Sequence, residues 1–303
     1  MSNNSDNKHL ISILDLSKPQ IDDILELSEQ LKSYPDNDYL KNKVIAACFF
    51  EASTRTRLSF ESAILRLGGS VIGFSDSNST SLGKKGETLE DTIRVISQYS
   101  DGVIMRHSES GSALRASKVS KVPVINAGDG VNQHPTQTLL DLFTIKETQG
   151  RLDNLKIAMV GDLRYGRTVH SLSIALSLYS NIELVFIAPD DLQMPEDVCK
   201  YLQEQNIKFS ISSNLDDSIK NVDVIYMTRI QIERLSGNEQ YGQYILNKDI
   251  VKKTKRTLAI LHPLPRREEI DVLVDSLPQA KYFQQAQNGL YVRQAILKRL
   301  IAK

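Results

Sequence analysis

Short apolar runs separated by longer amphipathic stretches are the feature that most constrains the fold of this chain. Most of these runs are apolar throughout rather than alternating. Continuous apolar runs are typical of parallel strands buried on both faces, and the stretches between them are long enough for crossover helices. The predicted strands are Val44–Phe50, Ser70–Phe74, Gly102–Met105, Val122–Asn126, Leu155–Val160, Glu183–Ile187, Lys208–Ile211, Val222–Met227 and Thr257–Leu261.

The helix signals divide the strands into two groups. Ser17 and Gln20 fit a capping box that begins the first helix. Thr136–Gln149 predicts a helix closed by Gly150, and this helix lies between the first four strands and the last five. The sequence therefore predicts an α/β protein with two doubly wound domains, each with a mainly parallel sheet flanked by helices. The predicted domains are residues 1–150 and 151–285, followed by a helix in Leu290–Ala302.

Charge and cysteine content exclude several classes of protein. The chain has 37 Lys and Arg residues against 37 Asp and Glu residues, so it lacks the basic excess of nucleic-acid-binding proteins. Cys48 and Cys199 form no CxxC pair, and Cys48 lies in an apolar run that predicts a buried, unreactive thiol. Met1–Lys8 lacks a signal-peptide segment, and no apolar run approaches a membrane span. We therefore expect a soluble, cytoplasmic protein that binds neither nucleic acid nor membrane.

A dense anion-binding pattern follows the first predicted strand. The segment Ser53-Thr54-Arg55-Thr56-Arg57 precedes a helical run. The free N–H groups and the dipole of a helix N-terminus favour negative charge, and arginine matches phosphate oxygens bidentately. Three hydroxyls and two arginines exceed what an ordinary helix cap uses, so the segment predicts a phosphate-like anion site.

Three further segments carry polar side chains. The loop Ser81–Glu87 contains two lysines and two glycines, a pattern that alone is typical of solvated surface. His134 and Gln137 are three residues apart at the start of the connecting helix, so both side chains can face one ligand. Thr228–Gln231 follows a predicted strand and places Arg229 at the ligand-binding edge of a parallel sheet.

The segment Gly161–Thr168 matches the spacing of a phosphate-binding loop, GxxxxGK[ST], except that Arg167 replaces the lysine. The planar fork of an arginine suits a carboxylate better than a terminal phosphate. No acidic residue ends a neighbouring strand where a magnesium ligand is expected. A nucleotide-binding regulatory module therefore remains an alternative, and a carboxylate site is favoured.

The last predicted strand leads into His262-Pro263-Leu264-Pro265-Arg266. Two prolines in four residues specify a rigid loop whose carbonyls point in fixed directions. X-Pro bonds are where cis peptides occur, and we predict that the Leu264–Pro265 bond is cis. The histidines lack metal-ligand spacing, and no nucleophile–histidine arrangement is assembled. The side chains suit two small anions, one phosphate-like and one carboxylate-like.

These motifs together resemble the transcarbamoylase family. Phe50–Arg57 resembles its carbamoyl phosphate motif, and His134–Gln137 and His262–Pro265 resemble two more of its motifs. Segments that resemble the aspartate carbamoyltransferases in particular are Ser81–Glu87, Gly161–Thr168 and Thr228–Gln231. The resemblance covers nearly the whole chain. It implies transfer of the carbamoyl group of carbamoyl phosphate to L-aspartate, an early step of pyrimidine biosynthesis, with neither metal nor organic cofactor.

The resemblance also implies the roles of individual residues. The phosphate would be held by Ser53, Thr54, Arg55 and Thr56. The carbamoyl group would be surrounded by Arg106, His134 and Gln137, and its amide received by the backbone of Leu264 and Pro265. The aspartate carboxylates would be bound by Arg167, Arg229 and Gln231. The implied catalytic residues are Arg55, Thr56, Arg106 and His134.

The resemblance further implies a homotrimer with active sites between chains. Ser81 and Lys85 would then enter a neighbouring site, where Lys85 would serve both substrates. The C-terminal helix, residues 286–303, would return to the first domain. Glu51 and Arg234 resemble residues that help hold the closed domain arrangement. Ser236–Asn247 is shorter than the matching loop of well-known bacterial members, which leaves control by a regulatory chain open. Transfer to another amine, such as ornithine, is the alternative activity.

Overall fold

The computed structural model describes residues 8–35, 38–76, 80, 83, 85–230 and 244–302. Three residues named above, Ser81, Gln231 and Arg234, lie outside this part of the chain, as does most of Ser236–Asn247. The described chain divides into two compact units. The first contains Met1–Leu140 and Gln287–Lys303, and the second contains Asp141–Ala286. The division falls inside the connecting helix, before the predicted boundary at residue 150.

The first unit contains a four-stranded parallel sheet in the order β2-β1-β3-β4. Its strands are β1 (Val44–Phe49), β2 (Ser70–Phe74), β3 (Gly102–His107) and β4 (Val124–Asp129). Its helices are α1 (Lys18–Ser33), α2 (Thr54–Arg66), α3 (Leu89–Tyr99), α4 (Ser112–Val119) and the first part of α5 (Pro135–Gln149). The strand order reverses between β1 and β3, so ligand-binding loops are expected at the carboxyl ends of these two strands.

The second unit contains a five-stranded parallel sheet in the order β7-β6-β5-β8-β9. Its strands are β5 (Lys156–Val160), β6 (Glu183–Ile187), β7 (Lys208–Ser212), β8 (Val224–Met227) and β9 (Ala259–Leu261). Its helices are α6 (Arg167–Leu176), α7 (Glu196–Glu204), α8 (Leu215–Ser218) and α9 (Lys248–Lys252), and the chain leaves it within α10 (Tyr282–Ile301). In this sheet the strand order reverses between β5 and β8, which defines the switch point of the second sheet.

The predicted parallel α/β architecture is confirmed, and its central strands are buried because their apolar runs lie between helices. All five residues after the first of β1 are buried, as are all four of β8. β2 and β7 are half-exposed edge strands. The outer edge of β4 is covered near Leu10, whose N–H donates to the carbonyl of Val124 at 2.9 Å.

The helix boundaries follow local capping chemistry. The N–H of Ser17 donates to Oε1 of Gln20 at 2.9 Å, which confirms the predicted capping box. Helix α5 ends before Gly150, which has φ 72° and donates to the carbonyl of Lys146. The last helix begins at Tyr282 rather than at the predicted Leu290. Its first turn makes hydrogen bonds to distant residues, from Gln284 to Glu147 and from Gln285 to Asp141, which no apolar period reveals. None of the described helices is long and apolar enough to cross a membrane.

Candidate active site

The anion-binding segment of the first unit lies at the carboxyl end of β1. Ser53 is the N-cap of α2 and its side chain makes no capping hydrogen bond. Thr54, Arg55 and Thr56 form the first helical turn, whose backbone N–H groups have no partner within the helix. Partial burial lowers the pKa of Arg55, which remains a cation at neutral pH. The turn therefore presents hydroxyls, N–H groups and a positive charge to an anion.

Arg106 lies near the end of β3, in register with Phe49 of β1. Its side chain is only 13% exposed, and its Nε lies 3.1 Å from Oε2 of Glu51. Burial lowers the pKa of Arg106, Glu51 opposes this shift, and the charge of Arg55 adds to it. Arg55 follows β1 and Arg106 lies near the end of β3, so both arginines lie at the switch point of the first sheet.

His134 and Gln137 lie at the start of α5. The carbonyl of His134 accepts the N–H of Gln137 at 2.9 Å and that of Thr138 at 3.1 Å, which sets the first turn of the helix. Both side chains are buried, and Nδ1 of His134 lies 3.4 Å from Oγ1 of Thr136. That both side chains face one ligand, as their three-residue spacing indicates, stays a prediction.

The sequence did not point to Asp129, which organises the loop before His134. Its carboxylate is buried and accepts four hydrogen bonds. Oδ1 accepts the side chain of Asn126 at 3.0 Å and the N–H of Gln133 at 3.1 Å. Oδ2 accepts the N–H of Gly111 at 2.9 Å and the side chain of Asn132 at 3.1 Å. The available signal was a carboxylate between two glycines, three residues after the end of a predicted strand.

In the second unit, the ends of β5 and β8 are fastened together. Oγ1 of Thr228 donates to the carbonyl of Val160 at 2.9 Å. Gly161 has φ 109°, and a Cβ there would lie 2.4 Å from the carbonyl oxygen of Thr228. Arg229 is the next residue after Thr228, and Arg167 is the first residue of α6. Both arginines are half-buried at the switch point of the second sheet.

The loop Gly161–Thr168 differs from a nucleotide-binding loop. A phosphate cradle needs free backbone N–H groups. Here the N–H of Tyr165 donates to Oδ1 of Asp162 at 2.9 Å. The N–H groups of Gly161, Leu163 and Arg167 donate to backbone carbonyls. Because four N–H groups are already used inside the protein, the nucleotide alternative loses its physical basis.

The loop after β9 contains the predicted cis bond between Leu264 and Pro265, which is confirmed. The N–H of Leu264 donates to Nδ1 of His262 at 2.8 Å, and Nε2 of that ring contacts Oε1 of Glu269 at 2.8 Å. Arg266 forms an ion pair with Asp275 and so serves the loop's structure. The rigid loop thus presents backbone groups at Leu264 and Pro265.

Two further residues that the sequence singled out, Lys85 and Cys48, differ in their exposure to solvent. Lys85 is exposed. Cys48 is buried, as predicted, and burial raises the pKa of its thiol to about 12. Within the described residues, no three His, Cys, Asp or Glu side chains are grouped as metal ligands are.

Two doubly wound α/β units, each with arginines at its switch point, define a class of α/β protein that binds small anions. Residues 8–147 match the carbamoyl-P binding domain of aspartate/ornithine carbamoyltransferases, and residues 153–300 match their Asp/Orn binding domain. The chain belongs to the aspartate/ornithine carbamoyltransferase family.

Similarity to individual aspartate carbamoyltransferases extends this match. The aspartate carbamoyltransferase catalytic subunit of Aliivibrio fischeri strain MJ11 is 54% identical over 301 residues, which cover 98% of this chain and 97% of that protein. The catalytic subunit of M. jannaschii aspartate transcarbamoylase is 50% identical with a TM-score of 0.92, covering 97% of this chain and 98% of that one. Trypanosoma cruzi aspartate transcarbamoylase with carbamoyl phosphate and aspartate is 34% identical with a TM-score of 0.89, covering 97% and 95%.

Proposed function

We propose that the protein transfers the carbamoyl group of carbamoyl phosphate to the amino group of L-aspartate. The products are N-carbamoyl-L-aspartate and phosphate. The observation that carries the proposal is the pair Arg167 and Arg229 at the switch point of the second sheet, in a chain whose relatives have this activity. Two arginine forks match the two carboxylates of aspartate.

Carbamoyl phosphate is assigned to the first unit. The phosphate is bound by Ser53, Thr54, Arg55 and Thr56, which start α2. The carbamoyl group contacts Arg106, His134 and Gln137, and its amide donates to the backbone of Leu264 and Pro265. Aspartate is bound by Arg167, Arg229 and Gln231. Ser81 and Lys85 complete the site from a neighbouring chain.

The reaction forms a bond between the aspartate nitrogen and the carbonyl carbon and breaks the bond from that carbon to the phosphate oxygen. Negative charge develops on the carbonyl oxygen, where Thr56, Arg106 and His134 donate hydrogen bonds. The departing phosphate takes the proton from the amine, so no protein base is required. Holding the two substrates together supplies much of the acceleration.

We also propose that the active unit is a homotrimer with shared sites. The outer surface of the first unit has apolar side chains suited to a second copy of the chain. Leu58 and Leu65, seven residues apart on α2, are 58% and 60% exposed, and Ile72 on edge strand β2 is 43% exposed. A cytoplasmic location and a role in pyrimidine biosynthesis accompany this proposal. A regulatory chain remains a further candidate partner.

Transfer to ornithine is the second candidate activity, because the family includes ornithine carbamoyltransferases. Ornithine carries a side-chain ammonium that requires an acidic partner. The described switch point of the second sheet presents two arginines instead, which would repel that ammonium. We therefore place ornithine behind aspartate.

Product formation tests this function. The purified chain is incubated with carbamoyl phosphate and either L-aspartate or L-ornithine, and carbamoylated product and released phosphate are measured. We expect equal amounts of carbamoyl-aspartate and phosphate, and no product beyond the amine-free control with ornithine. Product from ornithine alone would overturn the substrate assignment, and absence of any product would overturn the function.

A further inference from the structure

A buried chain of hydrogen bonds runs through the second unit to the loop after β9. Its members come from distant parts of the sequence, and each is at most 8% exposed. They are Tyr226, Asp141, Gln285, His262 and Glu269. The hydroxyl of Tyr226 donates to Oδ2 of Asp141 at 2.8 Å, and Nε2 of Gln285 donates to Oδ1 of the same carboxylate at 2.6 Å.

Chemistry fixes the direction of each bond around His262. The backbone N–H of His262 donates to Oε1 of Gln285 at 2.8 Å, so the amide of Gln285 has only one workable orientation. The backbone N–H of Leu264 can only donate, so Nδ1 of His262 must accept. The ring proton is therefore on Nε2, where it is donated to Glu269.

Glu269 anchors the ring from the other side. Its carboxylate also accepts the N–H of Arg267, at 3.1 Å for Oε2 and 3.2 Å for Oε1. Burial opposes ionisation of Glu269, but the hydrogen bonds from His262 and the backbone outweigh it and lower the pKa of the carboxyl. Both ring nitrogens of His262 are thus occupied, which leaves the imidazole one orientation.

The ring of His262 holds Leu264 in an uncommon backbone conformation. Leu264 has φ 54°, a left-handed region that side-chain-bearing residues rarely adopt. Its N–H is bound by Nδ1 of His262, and rotation of the peptide would break that bond. The direction of the neighbouring Leu264 carbonyl therefore depends on an acceptor at the position of Nδ1.

We propose that His262 is a positioning residue that aims the Leu264 carbonyl at the amide of carbamoyl phosphate. This inference rests on the proposed function and deepens it. His262 does not contact the substrate. It acts through Leu264. The buried hydrogen bonds from Tyr226 through Asp141 to Gln285 keep the backbone of His262 in place.

Two substitutions separate the two ring nitrogens. In His262→Asn, the side-chain oxygen occupies the position of Nδ1 and still accepts the N–H of Leu264, but the donor to Glu269 is lost. In His262→Gln, the amide nitrogen occupies the position of Nε2 and still donates to Glu269, but the acceptor for Leu264 is lost. We measure the KM for carbamoyl phosphate and the melting temperature of each full-length variant.

The two measurements should rank the variants in opposite order. One lost hydrogen bond to the substrate corresponds to a rise in KM of about tenfold for His262→Gln, against less than about threefold for His262→Asn. His262→Asn should have the lower melting temperature, because it deprives buried Glu269 of a donor. A purely structural role would make the KM follow the melting temperature.

Inorganic phosphate supplies the control, because it lacks the carbamoyl amide. Its inhibition constant against carbamoyl phosphate should be the same in the wild type and in both variants. Equal KM values for the two variants, or an inhibition constant for phosphate that rises with the KM, would overturn the positioning role. A wild-type chain that forms no carbamoyl-aspartate would instead remove the proposed function, and this inference with it.

Discussion

At the scale of single residues, Arg167 and Arg229 are the two side chains that we propose select the amine substrate. They follow β5 and β8, the two strands between which the order of the sheet reverses. Each guanidinium can bind one carboxylate through two parallel hydrogen bonds. L-aspartate offers two carboxylates, whereas ornithine offers one carboxylate and an ammonium. We therefore expect the charge of these two residues to favour a dicarboxylate over ornithine.

Arg229→Ala should raise the KM for aspartate and lower turnover, while the KM for carbamoyl phosphate stays near the wild-type value. Removing one partner of a desolvated charge pair costs about 2–5 kcal/mol. We expect the activation free energy calculated from kcat/KM for aspartate to rise by this amount. Steady-state kinetics with each substrate varied in turn measures both effects.

Arg164→Ala is the matched control for this prediction. Arg164 is an exposed arginine of the same unit, and its Nη1 donates to the carbonyl of Asp191 at 3.2 Å. We expect nearly unchanged kinetics for this variant. If Arg229→Ala instead lost carbamoyl phosphate binding with normal aspartate saturation, the assignment of the two substrates to the two units would be wrong.

At the scale of secondary-structure elements, the ends of β5 and β8 approach each other closely. Arg167 and Arg229 lie in the segments that follow these two strands. Gly161 makes this approach possible, because the carbonyl oxygen of Thr228 occupies the space of a Cβ. Thr228 closes the contact with its side-chain hydrogen bond to Val160. Any side chain at residue 161 must move β8 and with it Arg229.

Gly161→Ala should lower the melting temperature and reduce kcat/KM for aspartate. The variant combines a clash at 2.4 Å with φ 109°, a conformation that alanine rarely adopts. Gly150→Ala is the control, since Gly150 has φ 72° but no atom within 4 Å of its Cβ position. The control should lose about 1 kcal/mol of stability from backbone strain alone and keep normal kinetics. Equal losses in both variants would show that the contact with Thr228 is not tight.

The sequence predicted the elements better than the contacts between them. In the part of the chain that the structure describes, each strand begins and ends within three residues of its predicted bounds. A buried parallel strand is a continuous apolar run between turns, which makes its ends visible in the sequence. The start of the last helix was missed, since Tyr282 and Gln285 are buried by residues far away in the chain. Local periodicity contains no information about such partners.

The same reason explains which residues of the candidate site the sequence could reveal. Ser53–Thr56 and His134 stand out, because hydroxyls, arginines and a histidine occur at helix starts after strands. Asp129 and Glu269 were missed, since a lone acidic residue in a loop is usually solvated. Their roles come from four donors around Asp129 and from the ring of His262, which only the fold brings together.

At the scale of the whole molecule, the proposed trimer would place two of the proposed substrate-binding cations, Arg55 and Lys85, on different chains. Arg55 starts α2, and Lys85 is exposed in the segment before α3. In a closed ring of identical chains every interface is the same, so each site would combine Arg55 of one chain with Lys85 of its neighbour. This arrangement can be tested without further structural information.

Arg55→Ala and Lys85→Ala should each be nearly inactive alone, and mixing them should restore activity. When the two variants are dissociated and reassembled in equal amounts, a site is intact if its Arg55 and its Lys85 both come from chains that retain them. Random mixing makes roughly a quarter of all sites intact, so activity should level off near that fraction of the wild type. Each variant reassembled alone is the control and should remain inactive. If mixed trimers form on a native gel but activity does not return, Arg55 and Lys85 serve one site from the same chain.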